Sequence, residues 1–164
     1  MKKLIFIMSI PALTGGLILQ GCQETGTPSS ANLSPESSVE QSSNLEADAA
    51  DWGEFLPYFM HDTHGLKNSL VGVAKIKAGE QIHPPHRHAD EEYLMVTEGR
   101  GEWYVNGETF KAEKGDILYA KPWEYHGVKA ANDSPLEFVV FKFSGRGVDA
   151  SVDPNPELPE ELAE

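Results

Sequence analysis

Residues 79–99 read GEQIHPPHRHADEEYLMVTEG, and the pattern within them decides the fold. His86, His88 and Glu92 share even numbering, and Tyr93 to Thr97 is apolar and rich in strand formers. On a β-strand, side chains alternate between faces with period two, so these three polar groups project to one side. Two imidazoles and a carboxylate on one face are most of a site for a divalent transition metal. The same alternation turns His83 and Glu91 away, although a bulge in the strand would put Glu91 in the place of Glu92. Such a site needs a fold to enclose it and one more ligand.

On either side of this stretch, from Asp51 to Ser144, short apolar runs are punctuated by glycine. The runs are Ser69–Lys77, Tyr93–Thr97, Trp103–Val105, Glu108–Lys111, Asp116–Ala120, Tyr125–Ala130 and Glu137–Phe143. Asn106-Gly107, set between two of them, predicts a two-residue hairpin, because both turn residues must take positive φ. No segment keeps a helical apolar period. Short strands at regular spacing predict a single all-β domain, a sandwich or small barrel. Trp52 to Leu66 is harder to read. It carries HDTH at residues 61–64, a two-ligand spacing on a helix, but with no helical context these histidines read as surface residues.

The ends have a different character. Lys2 and Lys3 precede an apolar run from Leu4 to Leu19, the order of an export signal, and the run is short for a membrane span. Leu19-Gln20-Gly21-Cys22 resembles the lipobox of bacterial lipoproteins, which implies that residues 1–21 are a signal peptide and that Cys22 is lipidated. Gln23, with no aspartate after the cysteine, resembles lipoproteins sorted to the outer membrane, and the periplasm is the expected compartment. Cys22 is the only cysteine among 164 residues, so no intramolecular disulfide forms. Residues 22–50 are rich in Ser, Thr, Pro, Asn and Glu and read as a disordered tether. Residues 146–164 form an acidic, Pro-rich tail that is not expected in the core, ending in PEELAE, which suits a helical turn. The formal net charge of −13 argues against nucleic acid and against electrostatic binding to anionic lipid.

Residues from Gly79 to His126 resemble the cupin family, small jelly-roll-type β-barrels that commonly hold one metal ion. The family's first motif runs from a glycine through His-x-His to a glutamate and, six residues later, a glycine. Gly79, His86-Arg87-His88, Glu92 and Gly99 follow it, with one extra residue in the loop after Gly79. The second motif sets a histidine eleven positions after a glycine, as Gly115 and His126 stand here. Pro122 falls one place late and Trp123 occupies a position that is commonly glycine. The resemblance implies a jelly-roll β-barrel over residues 51–145 and a metal held by His86, His88, Glu92 and His126.

Three neutral imidazoles and one carboxylate leave a divalent ion with residual positive charge and room for two further ligands in an octahedral shell. Such an ion polarises a carbonyl, acidifies water or binds dioxygen. The expected cofactor is one divalent first-row transition metal: Fe, Mn, Ni, Cu or Zn. The expected function is a membrane-anchored, metal-dependent dioxygenase, lyase or isomerase on a small oxygen-rich substrate, with Tyr125 or Lys121 as proton donor. The alternative is a non-catalytic module that binds a ligand or the metal itself. A homodimer is compatible with either. Cupins that cleave dimethylsulfoniopropionate resemble the chain in the histidine pair, but carry a tyrosine where Leu94 stands. That substitution argues against their activity.

Overall fold

The computed structural model describes residues 35–154. The expected signal peptide, Cys22, the first part of the tether and the PEELAE end lie outside the described residues. After a single 3₁₀ turn at Ser42–Asn44 come eight strands: β1 (Asp48–Ala50), β2 (Gly53–Phe59), β3 (Leu66–Ile76), β4 (Glu91–Val105), β5 (Glu108–Glu113), β6 (Ile117–Ala120), β7 (His126–Ala130) and β8 (Leu136–Gly145). They pair antiparallel in the order β1-β2-β3-β8-β4-β5, with β6 and β7 also pairing with β4. The fold is all-β, of the jelly-roll cupin type.

Strand β4 organises this arrangement because it serves two sheets. Its first part lies between β6 and β8, and its second part between β5 and β7. The change of sheet happens where the β4–β8 register slips between Val96 and Glu98 and Gly99 takes φ +76°. A Cβ on Gly99 would stand 1.9 Å from the carbonyl oxygen of Pro135, so only glycine fits that corner. Side-chain parity moves with it. Glu92, Leu94 and Val96 are buried before the slip, and Gly101 and Trp103 after it. One extra residue has exchanged the two faces. The expected Asn106-Gly107 hairpin is present, with φ of 48° and 87° and Val105 paired to Glu108.

The core is formed by alternate residues of the long strands: Ala74 and Ile76 from β3, Leu94 and Val96 from β4, and Leu136, Phe138 and Val140 from β8. Val71 and Val73 share a parity in the sequence, yet they lie on the outer, half-exposed side of β3. Regular structure is also present inside the expected tether. The 3₁₀ turn and β1 both fall inside residues 22–50, where a tether was expected, and β1 pairs with β2 in the previously unreadable stretch. Short polar strands at a sheet edge carry little apolar signal, which is why composition conceals them.

Candidate metal centre

Three loops and strand starts converge at one end of β4. Glu92 points inward as the second residue of that strand and is 8% exposed. His126 opens β7 and is 1% exposed. Opposite it, His86 forms an isolated antiparallel bridge in which the backbone N–H of each residue donates to the other's carbonyl at 2.9 Å. Close packing of Gly127 against Pro85 permits this bridge, since a Cβ there would meet Pro85 Cα at 3.1 Å. The loop carrying His88 is held by the backbone N–H of Trp123, which donates to the His88 carbonyl at 2.8 Å.

The three imidazoles form a nearly equilateral triangle, with ring centroids 5.1 Å (His86–His88), 4.8 Å (His86–His126) and 4.9 Å (His88–His126) apart. One nitrogen from each lies within 4.8 Å of the others, a spacing that can hold one metal ion. Two of the rings have fixed tautomers. His88 Nδ1 lies 3.0 Å from the Asp90 carbonyl oxygen, and His126 Nδ1 lies 2.8 Å from that of Glu124. Carbonyl oxygens only accept, so both Nδ1 atoms carry the proton and both Nε2 lone pairs remain for a ligand.

The donor atoms themselves test whether a metal suits the site. His88 Nε2 sits 3.2 Å from Glu92 Oε2, and His126 Nε2 sits 3.5 Å from Oε1. The second contact is within ion-pair reach but lacks hydrogen-bond geometry, and His126 Nε2 and His86 Nδ1 are buried without a hydrogen-bond partner. A nitrogen lone pair facing a carboxylate is stabilised by a cation between the two, and a metal ion at the triangle would supply one. Leaving such a buried atom unsatisfied costs about 1–3 kcal/mol. The set fits a first-row divalent metal.

Charge at the site follows from burial and proximity. Burial, with repulsion from His83, His126 and His88, holds the His86 imidazole down to about 3, so it is a neutral donor at physiological pH. Burial alone would raise Glu92, but the adjacent His126 and His88 imidazoles hold its carboxyl well below the usual carboxylate range. Burial alone would lower His126, yet Glu92 and the Glu124 carbonyl raise it.

His86 and His126 open on a cavity of about 240 Å³, walled by apolar side chains including Phe55, Leu94 and Phe138, with Glu92, His83 and Lys142 also lining it. His83 corrects the sequence reading. Its ring stands 4.0 Å, centroid to centroid, from that of His86. Parity turned it away, but residues 83–90 are loop around the single His86 bridge, so alternation does not apply before Glu91. His86 and His88 reach the site through that loop and not through a shared strand face. Glu91 is half-buried outside the cavity, and Glu92 holds the inward position. The two expected proton donors are not brought to the cavity. Tyr125 is buried beneath the Arg87 guanidinium, 4.9 Å from its ring centroid, and Lys121 projects to solvent, 3.4 Å from Glu124. His61 and His64 are exposed, as expected. Lys142 was missed, although it continues the inward parity of Leu136, Phe138 and Val140.

Comparison with known proteins agrees with this geometry. Residues 72–142 match the family model described as "Cupin domain". A gentisate 1,2-dioxygenase from a Streptomyces species is 30% identical over 60 residues, which is 36% of this chain and 17% of that protein. A 5-nitrosalicylic acid 1,2-dioxygenase from a Bradyrhizobium species is 34% identical over 64 residues, 39% of this chain and 30% of that protein. The chain thus matches less than a third of the length of either. Among solved structures, a cupin-2 domain from Rhodospirillum rubrum superposes with a TM-score of 0.55 at 16% identity, covering 79% of this chain and 84% of the other. With both glycine-led motifs and the histidine triangle inside it, the segment from 72 to 142 is a cupin domain.

Proposed function

We propose that this chain is a metal-dependent dioxygenase of small, oxygen-rich aromatic substrates, with Glu92 as the fourth metal ligand beside His86, His88 and His126. The observation that carries the reading is the histidine triangle, two of whose members, His86 and His126, line an apolar cavity of about 240 Å³ together with Glu92. An engineered cavity of about 150 Å³ takes up benzene, so this one suits a single substituted ring. A bound divalent metal would supply a Lewis-acidic, redox-capable centre there. The chain's own residues do the rest. His88 and His126 are held in one tautomer by backbone carbonyls, Glu92 balances charge, and Leu94, Phe55 and Phe138 exclude water and seat the ring.

The two proton donors expected for lyase or isomerase chemistry, Tyr125 and Lys121, both lie off the cavity. Dioxygenation takes both atoms of O₂ into the product and asks for no separate reductant. The two 1,2-dioxygenase relatives support the same choice. Oxygen uptake by iron-loaded protein, measured against phenols, enediols, uronates and hydroxybenzoates, tests the proposal. Uptake that matches substrate loss supports it. A flat response with every metal and substrate overturns it in favour of a non-catalytic binding module.

The lipobox-like Leu19–Cys22 supports anchoring through a lipidated Cys22, at an outer membrane facing the periplasm. Fatty-acid label incorporated by the native chain and absent from Cys22→Ser is the expected result. Label retained in the variant would end that part of the proposal. A homodimer through the outer sheet face is proposed as the assembly.

A further inference from the structure

Strand β8 turns Leu136, Phe138 and Val140 inward, and the next residue of that parity is Lys142. An ordinary core face would continue with an apolar side chain. Instead a lysine lines the cavity beside the histidine triangle, directly across the ladder from Glu92. It is the only lysine or arginine among the described residues lining that cavity.

Its protein partners leave it capacity for a ligand. The nearest carboxylate contact is Asp90 Oδ2 at 4.0 Å, the outer limit of an ion pair. Asp90 Oδ1 already accepts from the Ser144 hydroxyl and from the Asn68 amide. Glu92, the only carboxylate among the described residues lining the cavity, is engaged by His88 and His126. An ammonium carries three donors, and one long ion pair does not use them. The charge of the whole chain sharpens the point. A net charge of −13 repels anions at a distance, so an anionic ligand entering this cavity needs a local cation.

We propose that Lys142 is the specificity-determining residue of the cavity, its ammonium holding the carboxylate of an aromatic hydroxy acid whose ring oxygen faces the histidine triangle. Phe138, Val140 and Leu94 line the same cavity and supply the apolar surface for the ring. This inference rests on the metal-site reading above and names the substrate class that the site takes: small aromatic monocarboxylates carrying a ring hydroxyl.

The test is equilibrium binding to zinc-loaded protein, where no turnover intervenes, followed by tryptophan fluorescence, since Trp52 lines the cavity. The probes are 2-hydroxybenzoate and its neutral isostere 2-hydroxybenzamide. The native protein is expected to prefer the acid about ten- to hundredfold, the range for a hydrogen bond to a charged group. Lys142→Met keeps the side-chain length and removes the charge, and should abolish the preference while still binding the amide. Lys142→Arg should retain it. Metal content and melting temperature are matched across the three proteins, and the metal-free native protein should keep part of the preference.

Equal binding of acid and amide by the native protein overturns the proposal, as does a preference that survives in Lys142→Met, which would place the carboxylate on the metal. Equal weakening of both ligands in Lys142→Met also overturns it, because the lysine would then be structural. Failure of the functional reading looks different. Oxygen uptake without an acid preference leaves the dioxygenase reading standing and removes Lys142, whereas a lysine-dependent preference without oxygen uptake does the reverse.

Discussion

Glu92 holds two histidines with one carboxylate, its Oε2 at 3.2 Å from His88 and its Oε1 at 3.5 Å from His126. Glutamine at this position keeps the size and one acceptor oxygen but removes the negative charge that balances a divalent ion. The native protein is expected to take up about one equivalent of zinc per chain, as the single histidine triangle requires. Glu92→Gln should bind it roughly 10–100-fold more weakly, and competition with a chromophoric chelator measures the difference. Unchanged affinity would remove Glu92 from the metal's surroundings. At this scale the sequence was informative wherever spacing carried the information. His86, His88, Glu92 and His126 were legible because a motif fixes their separations, even though the strand parity used for the first two does not hold in their loop. His83 was not legible, because a loop has no parity to read. Lys142 was hidden for another reason: one lysine at the end of an apolar strand has the same appearance whether it faces solvent or a cavity.

The ligand-bearing loops are tied down by a segment that composition places in a tail outside the core. Residues 146–154 run back across the second motif, where the Trp123 indole N–H donates to the Ala150 carbonyl and Arg87 pairs with Asp153 at 2.9 Å. Arg87 stands between the two histidines of the first motif, so this ion pair clamps the loop that presents them. Both side chains are largely buried, at 12% and 18% exposure, which places the pair above the usual worth of a surface bridge. Trp123 holds φ of 63°, a left-handed conformation that costs a non-glycine residue roughly 1–2 kcal/mol, and its indole contact to the strap helps to retain it there. Asp153→Asn should cost about 1–3 kcal/mol and lower the melting temperature by roughly 4 °C or more. The loss should be accompanied by weaker zinc binding, because His86 and His88 flank the freed arginine. A melting curve and zinc affinity both identical to the native protein would show that the strap merely rests on the surface. Proline and acidic residues hid this segment, since an ion pair and one indole contact leave no periodic trace in a sequence.

Across the whole described sheet, the parity that turns Glu92 and Leu94 inward turns Tyr93 and Met95 outward. Register places Tyr93 beside Tyr119 and Phe141, and Met95 beside Ile117, so these five side chains form one continuous apolar surface. Each is between 37% and 62% exposed. Tyr93 stacks on Tyr119 with centroids 4.8 Å apart, which fixes part of the surface as a flat, preformed platform. A fully buried aromatic contributes about 150–250 Å², so half-exposed side chains of this size leave a patch of roughly 400–500 Å². That lies within the range of about 300–600 Å² at which the largest patch on a monomer is often functional. The outward Val71, Val73 and Val139 extend it toward the roughly 800 Å² per partner of a stable interface. In the proposed homodimer, a second copy related by a twofold axis would cover the surface with itself, as an isologous interface requires. Native protein is therefore expected to sediment as a dimer at micromolar concentration, and Met95→Glu to sediment as a monomer. The substituted side chain points away from the cavity, so zinc stoichiometry should be unchanged in that variant. Sedimentation of the native protein as a monomer at every concentration would overturn the assembly while leaving the metal centre untouched, because the two lie on opposite faces of the same strand.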